Sequence, residues 1–435
     1  MKTKWAWLGA CVIMGNLSVF AQDKSLSIQE AIQLAATQSK EAKAADTKVS
    51  GKKLELGVTK NKQLPDASIS GQFAVLSTPD INLRIPLGDE GGGAPDIKAN
   101  QMMLAQANVS MPLYAGGKIR NGIHIAETAV EAEQFAALNT KEQLASQSIK
   151  LYVALYKAQQ TAKLMQENIK RAEQQVADFK AMEENGLIAR NDLLKSELQL
   201  SNYQVALQEA VKNVNVVNYQ LVTLLQLDEN THIDAINFSN EENLLTEDFT
   251  VETALSSRND LKMLEAQHKI AADQLKISKA DYLPSVALTG GYIAADVKNV
   301  IAITNAVNVG IGLSYDLGSL YKNKKNVAVA KHRIAEVEEQ IEIANDRVKI
   351  QVQQANENFH LAQSQEKLYA QAVTQANENY RIVKDKYDNG VADTDDLLEA
   401  DVQQLQSQIN EAVSKANVIE KYYDLLLVNG QLISK

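Results

Sequence analysis

Four tracts of this chain alternate apolar and polar residues with period two. In the first, Ala67, Ile69, Phe73 and Val75 fall on one face, with Ser68, Ser70 and Gln72 on the other. The second sets Ala105, Ala107, Val109, Met111 and Leu113 against Gln106, Asn108 and Ser110, and the third sets Val286, Leu288 and Tyr292 against Ser285 and Thr289. The fourth is cleanest, with Val307, Val309, Ile311, Leu313 and Tyr315 against Asn308, Gly310, Gly312, Ser314 and Asp316. This period predicts four β-strands, each with one apolar and one polar face. It fits the half-buried sheet of a soluble protein, and equally a membrane barrel with lipid outside and a wet lumen inside. The tracts run about ten residues, near the length a tilted strand needs to cross a bilayer. Two hairpins cannot close a barrel, so a membrane reading requires several chains to share one.

Elsewhere the apolar spacing changes to three and four, the helical period. Tyr369, Val373, Ala376, Tyr380, Val383 and Tyr387 step by 4, 3, 4, 3 and 4, as in a coiled coil. Most of the residues between them are Ala, Gln, Asn, Lys and Glu, which suits helices wet on one or both sides. Periodicity alone leaves a simple coiled-coil hairpin open.

The helical tracts are interrupted twice by nearly the same ten residues, "NGLIARNDLL" at 185–194 and "NGVADTDDLL" at 389–398, 204 positions apart. "LPDASISGQF" at 64–73 resembles "LPSVALTGGY" at 283–292, and "SMPLYAGGK" at 110–118 resembles "SYDLGSLYK" at 314–322, again 204 apart. Each half therefore reads helix, Leu-Pro, strand, loop, strand, turn, long helix, Asn-Gly break, shorter helix. The same order twice implies a tandem duplication, with repeats far longer than those of a solenoid.

Lengths organise the helices. Residues 118–185 and 322–389 are both 68 long, roughly 100 Å each as helix. The returning arms (191–226 and 396–430) and the leading helices (28–62 and 251–281) are about half that length, so one of each stacked end to end matches a long arm. The expected plan is four columns of equal height, with strands at one end and Asn-Gly breaks at the other. Its divisions are a first repeat at 22–227 with a β-hairpin at 66–114 and a tip at 185–192, and a mid-height (equatorial) insertion at 228–249. A second repeat at 250–430 has a β-hairpin at 284–318 and a tip at 389–396, and 431–435 is a short tail.

The first 21 residues read as a secretory signal: Lys2 and Lys4, the apolar "WAWLGACVIMG", and small residues before a cut after Ala21. The apolar core is too short for a transmembrane anchor. A lipoprotein signal is the alternative, because "LGAC" resembles a lipobox and would make Cys11 the lipidated residue. Cutting after Ala21 removes the single cysteine, so packing or assembly must stabilise the mature chain. It also takes the 44 basic residues to 42 against 54 acidic ones, and this acidic balance argues against nucleic acid as a partner. The five histidines are scattered without ligand spacing, and no nucleophile elbow or Walker loop is present. No catalytic, cofactor or metal site is expected. Gly91, Gly92 and Gly93 have no Lys-Ser/Thr after them and belong to a long external loop at 78–100.

The duplicated order, the Leu-Pro before a strand in each half and the paired Gly-x5-Asp breaks (Gly186 to Asp192, Gly390 to Asp396) resemble the TolC-type outer-membrane efflux family. The resemblance covers essentially the whole mature chain. It implies a mainly α fold with a transmembrane β-barrel: a homotrimer with a twelve-stranded barrel continued by a periplasmic α-helical barrel. It further implies a passive exit channel of a tripartite efflux or type I secretion system, set in outer-membrane lipid. The partners implied are a periplasmic adaptor (membrane fusion protein) and an inner-membrane transporter. Carried over by position, Asn185, Gly186, Leu187, Asn389, Gly390 and Val391 are adaptor-docking tips, and Tyr387, Asp396, Glu399 and Asp192 lie at the gate. The chain departs from the family at Ala392, where the family carries a gate-bridging Arg. Read from the residues alone, Asp396 and Glu399 share a helix face, as an acidic pore ring requires. Asp393, Thr394, Asp395 and Asp396 equally suit a helix cap. The alternative from another class is a periplasmic coiled-coil adaptor or structural protein without a pore.

Overall fold

The structure is a computed structural model and describes residues 23–77, 99–235, 249–298 and 300–433. The signal segment with Cys11, the Gly91–Gly93 loop and much of the expected insertion lie outside the described residues.

Two long helices set the height of the molecule, α3 (Lys118–Glu184, 67 residues) and α8 (Lys324–Asp388, 65 residues). Each turns back through an Asn-Gly break into a shorter helix, α4 (Arg190–Leu225) after α3 and α9 (Thr394–Val428) after α8. The heptad positions from Tyr369 to Tyr387 are all partly buried, as a seam should be. Near the breaks α3 packs on α4 and α9, and α9 packs on α8. In the other half the shorter partners are replaced by the leading helices. These are α1 (Ile28–Gln38) with α2 (Lys40–Asn61), and α5 (Val251–Ser257) with α6 (Asn259–Ala280). Four columns result.

The leading helices are not continuous, contrary to the uninterrupted runs expected at 28–62 and 251–281. Ser39 and Arg258 adopt extended ψ values of 150° and 131° and split each run in two. At Ser39 the hydroxyl donates to Ala35 O (2.7 Å) and accepts from Ala42 N (3.2 Å), so one side chain serves both helix ends. At Arg258 the guanidinium grips Asp260, while Asp260 Oδ1 also accepts from Leu261 N (3.0 Å). The second long arm also starts differently. A four-residue helix, α7 (Ser319–Lys322), precedes α8, and the intervening Asn323 is buried with its amide donating to Ser278 O (2.5 Å).

The main core lies at mid-height, where the short columns meet. Leu26, Tyr152, Leu155, Leu221, Leu225, Ile233 and Leu425 are fully or nearly fully buried there. Each such side chain contributes about 1.5–3 kcal/mol by leaving water. Two four-residue strands not expected from the sequence, β1 (Asp23–Leu26) and β4 (His232–Ala235), pair in parallel over this core. Tyr152 OH donates to Leu26 O (2.6 Å). The Gln159 amide continues the β4 ladder, donating to Ile233 O (2.7 Å) and accepting from Ala235 N (3.2 Å).

The opposite end from the breaks is a four-stranded antiparallel sheet in the order β2 (Asp66–Val75), β3 (Gln101–Ala115), β5 (Ser285–Val297), β6 (Ile301–Ser314). Register places Ile69, Ala107, Tyr292 and Val307 in one cross-strand row, and Met111, Leu288 and Ile311 in another on the same face. The opposite face carries the rows Ser68, Asn108, Gly291, Asn308 and Ser110, Thr289, Gly310. Among the described residues the strands pack chiefly on one another, and the apolar face is bare: Ile69 is 89% exposed and Val309 79%. A soluble half-buried sheet would have this face covered.

Candidate functional site at the two helical tips

Both breaks close by the same backbone device. After α3, Gly186 N donates to Glu183 O (2.9 Å) and Leu187 N to Met182 O (2.8 Å). After α8, Gly390 N donates to Tyr387 O (2.9 Å) and Val391 N to Lys386 O (2.8 Å). This paired bonding ends a helix with one residue in the left-handed region, and φ is +71° at Gly186 and +70° at Gly390. The preceding Asn185 and Asn389 amides each donate back to the carbonyl four residues earlier, at 2.6 Å. Leu187 and Val391 then stand out from the tips, 72% and 74% exposed.

The entries to the returning helices differ. Asp393 caps α9: its Oδ1 accepts from Asp396 N (2.9 Å), and Asp396 Oδ2 accepts from Asp393 N (3.4 Å). Asp396 is therefore an exposed carboxylate that also belongs to the cap. Glu399, one turn on, accepts from Gln403 Nε2 (3.0 Å) and is exposed. At the first tip Ala189 gives α4 no side-chain cap, and Asp192 sits partly buried in the first turn.

Behind the turns, Phe179, Leu193 and Leu397 form a small core with Val383 and Tyr387 packed against it. Burial pushes the Tyr387 phenol up, and the Asp192 charge adds to it. Ala392, standing where the resemblance expects Arg, contributes only its backbone N–H, which donates to Lys386 O (3.3 Å).

Sequence reasoning missed the contacts that join the hairpins. Lys195 of α4 pairs with Asp395 of α9 at 2.7 Å, and that hydrogen bond raises the Lys195 pKa. Deeper, Tyr203 OH of α4 donates to Asp401 Oδ2 of α9 at 2.7 Å. The signal for Asp401 was present, because Leu397, Asp401 and Leu405 share a four-residue spacing and all three are buried. A carboxylate on that stripe marks an internal bond. Among the described residues no three His, Cys, Asp or Glu side chains group as metal ligands would, and no helix is long and apolar enough to cross a membrane.

Residues 250–431 match the outer membrane efflux protein family. Over 348 residues the chain is 22% identical to the outer membrane efflux protein BepC of Brucella suis biovar 1 (strain 1330), spanning 78% of this chain and 72% of that relative. Its fold matches the CmeC outer membrane channel of Campylobacter jejuni with a TM-score of 0.78 at 17% identity, over 93% of this chain and 86% of that one. It also matches the outer membrane protein VceC of Vibrio cholerae with a TM-score of 0.77 at 16% identity, over 93% and 96%.

Proposed function

We infer, for a chain whose residues 250–431 match the outer membrane efflux protein family, that it is the passive exit duct of a tripartite efflux or type I secretion system. The protein lies in the bacterial outer membrane and extends into the periplasm. The observation that carries the duct reading is the sheet. Among the described residues its apolar face is uncovered, its opposite face is polar, and β2 and β6 are edge strands. Exposed edges and a bare apolar face suit lipid outside, a wet lumen inside and closure by further copies. In the order β2, β3, β5, β6 the strands alternate in direction, so β6 of one copy meets β2 of the next antiparallel. Three copies give twelve strands and twelve helical columns.

The helices support the same assembly. On α8, Val329, Ile343, Ile350 and Leu361 are exposed on the side away from the intramolecular packing, and α2 and α4 expose Leu54, Val58, Leu198 and Val205. One outer column packing on the next gives a head-to-tail ring. In this reading the chain divides into a repeat at 22–227, an equatorial insertion at 228–249 and a repeat at 250–430. Asn185, Gly186, Leu187, Asn389, Gly390 and Val391 dock a periplasmic adaptor, which links the duct to an inner-membrane transporter. Asp396, Glu399, Tyr387 and Asp192 line the constriction, where threefold repetition of the acids favours cations.

The test is outer-membrane fractionation followed by electrophoresis with and without heating, and planar-bilayer recording of the purified protein. A heat-modifiable trimer that forms stable pores is expected. A soluble monomer without conductance overturns the reading.

A further inference from the structure

Above the tips, one carboxylate is enclosed between the two hairpins. Asp401 is 5% exposed and faces the α3–α4 hairpin from α9. Its Oδ2 accepts from Tyr203 OH at 2.7 Å and from Asn168 Nδ2 of α3 at 3.5 Å. Asn168 is fully buried, and its Oδ1 accepts from Arg171 Nη2 at 2.5 Å. Ile169, Ala172 and Leu405 close around the group. Burial, followed by the Asp401 charge, pushes the Tyr203 phenol well above its usual range, so it stays a donor at any physiological pH.

The placement matters because α4 and α9 belong to different hairpins and touch along little of their length. A second polar tie between them, Lys195 to Asp395, is largely exposed and contributes little once solvated. The buried tie is different. A carboxylate enclosed in a helix seam and stripped of its donor costs far more than a surface pair. Separations in which Tyr203 has left but water has not entered are therefore disfavoured.

We propose that Asp401 is the positioning residue of the tip, clamping α9 to the α3–α4 hairpin through Tyr203 and Asn168 so that the hairpins part in one step. The proposal rests on the exit-duct reading for its functional consequence, and its geometry can be tested apart from that reading.

Two measurements on the full-length purified protein test it. Spin labels at Leu187 and Val391 report the separation of the two tips by electron-resonance distance measurement. Tyr203→Phe, which removes the donor, and Asp401→Leu, which removes the acceptor at similar volume, should shift or broaden that distance, and Lys195→Ala should not. In planar bilayers the same two variants should raise open-state occupancy by at least about fivefold. The double variant should go no further than the larger single, because the Tyr203–Asp401 bond is already absent in each single variant. Thermal dissociation of the assembly should match that of the parent protein. Unchanged tip distances in both variants overturn the clamp, as do additive effects in the double variant. A parent protein that makes no pore removes the duct reading, while the distance measurement still decides whether Asp401 clamps the hairpins.

Discussion

Phe179 and Tyr387 stack with ring centroids 5.6 Å apart and planes 18° from parallel, one ring from each hairpin, directly behind the exposed turns. Such a pair contributes about 0.5–1.5 kcal/mol beyond its buried area. Its position gives it a functional reading, because the hairpins cannot separate at the tip without parting the rings. Tyr387→Ala should therefore widen the resting aperture, seen as raised single-channel conductance in planar bilayers. Tyr387→Phe keeps the stack and should conduct like the parent. Equal conductance in all three proteins would show that the stack does not limit the tip.

The turns themselves separate strain from docking. A Cβ at Gly186 or Gly390 would meet nothing within 4 Å, so substitution there is opposed only by the positive φ. Alanine should cost about 1–2 kcal/mol locally, read as faster amide exchange at the tip, and asparagine should cost less. Export should survive both. Gly186→Asp or Gly390→Asp adds charge beside the exposed Leu187 or Val391 and should abolish export with the trimer intact. Normal export in the aspartate variants would remove the tips from the docking surface.

The elements legible in the sequence were those whose signal is local. Period two placed the faces of the four sheet strands as far as the bulge after Pro112, because each residue's side depends only on its neighbours until an extra residue shifts the register. There Tyr114 and not Leu113 pairs with Val286. The repeated Asn-Gly marked both turns, since the left-handed residue must be glycine or close to it. The splits at Ser39 and Arg258 were not read, because a single extended residue leaves the apolar spacing on both sides intact. β1 and β4 were also not read. Four residues are too few to show a period, and the pairing of Asp23 with His232 joins distant parts of the chain. Lys195 with Asp395 and Tyr203 with Asp401 lie 200 and 198 residues apart, so only packing brings them together. At the second tip the sequence left two roles for Asp396, and the cap geometry bears directly on how its charge can be tested.

Because Asp396 is bonded into the α9 cap, Asp396→Ala alters the helix start as well as the charge. Glu399 lies outside the cap, one turn further along the same face. Glu399→Gln removes charge alone and should weaken block of single-channel current by divalent or trivalent cations, with trimer stability unchanged. Adding Asp396→Asn should weaken it further. Asp393→Ala removes the cap acceptor, costing about 1 kcal/mol of helix stability. Unchanged block in Glu399→Gln with Asp396→Asn would rule out the acidic ring as the cation site.

At the other end of the helices, Asp273 of α6 is buried and bonded by Lys276 (2.7 Å) and by His124 of α3. Burial opposes its ionisation, but the Lys276 and His124 bonds prevail and hold its carboxyl below the ordinary 3.8. A depressed carboxyl stabilises the fold at pH above its unfolded value and loses that contribution as pH falls through the folded one. Asp273→Asn should therefore destabilise the protein at pH 7 by about 1–3 kcal/mol. The difference from the parent should begin to shrink only below about pH 4. Denaturant titration of both proteins at pH 7, 5 and 3 checks this. A gap that stays constant from pH 7 to pH 3 would mean that the carboxylate charge is not what joins α3 to α6.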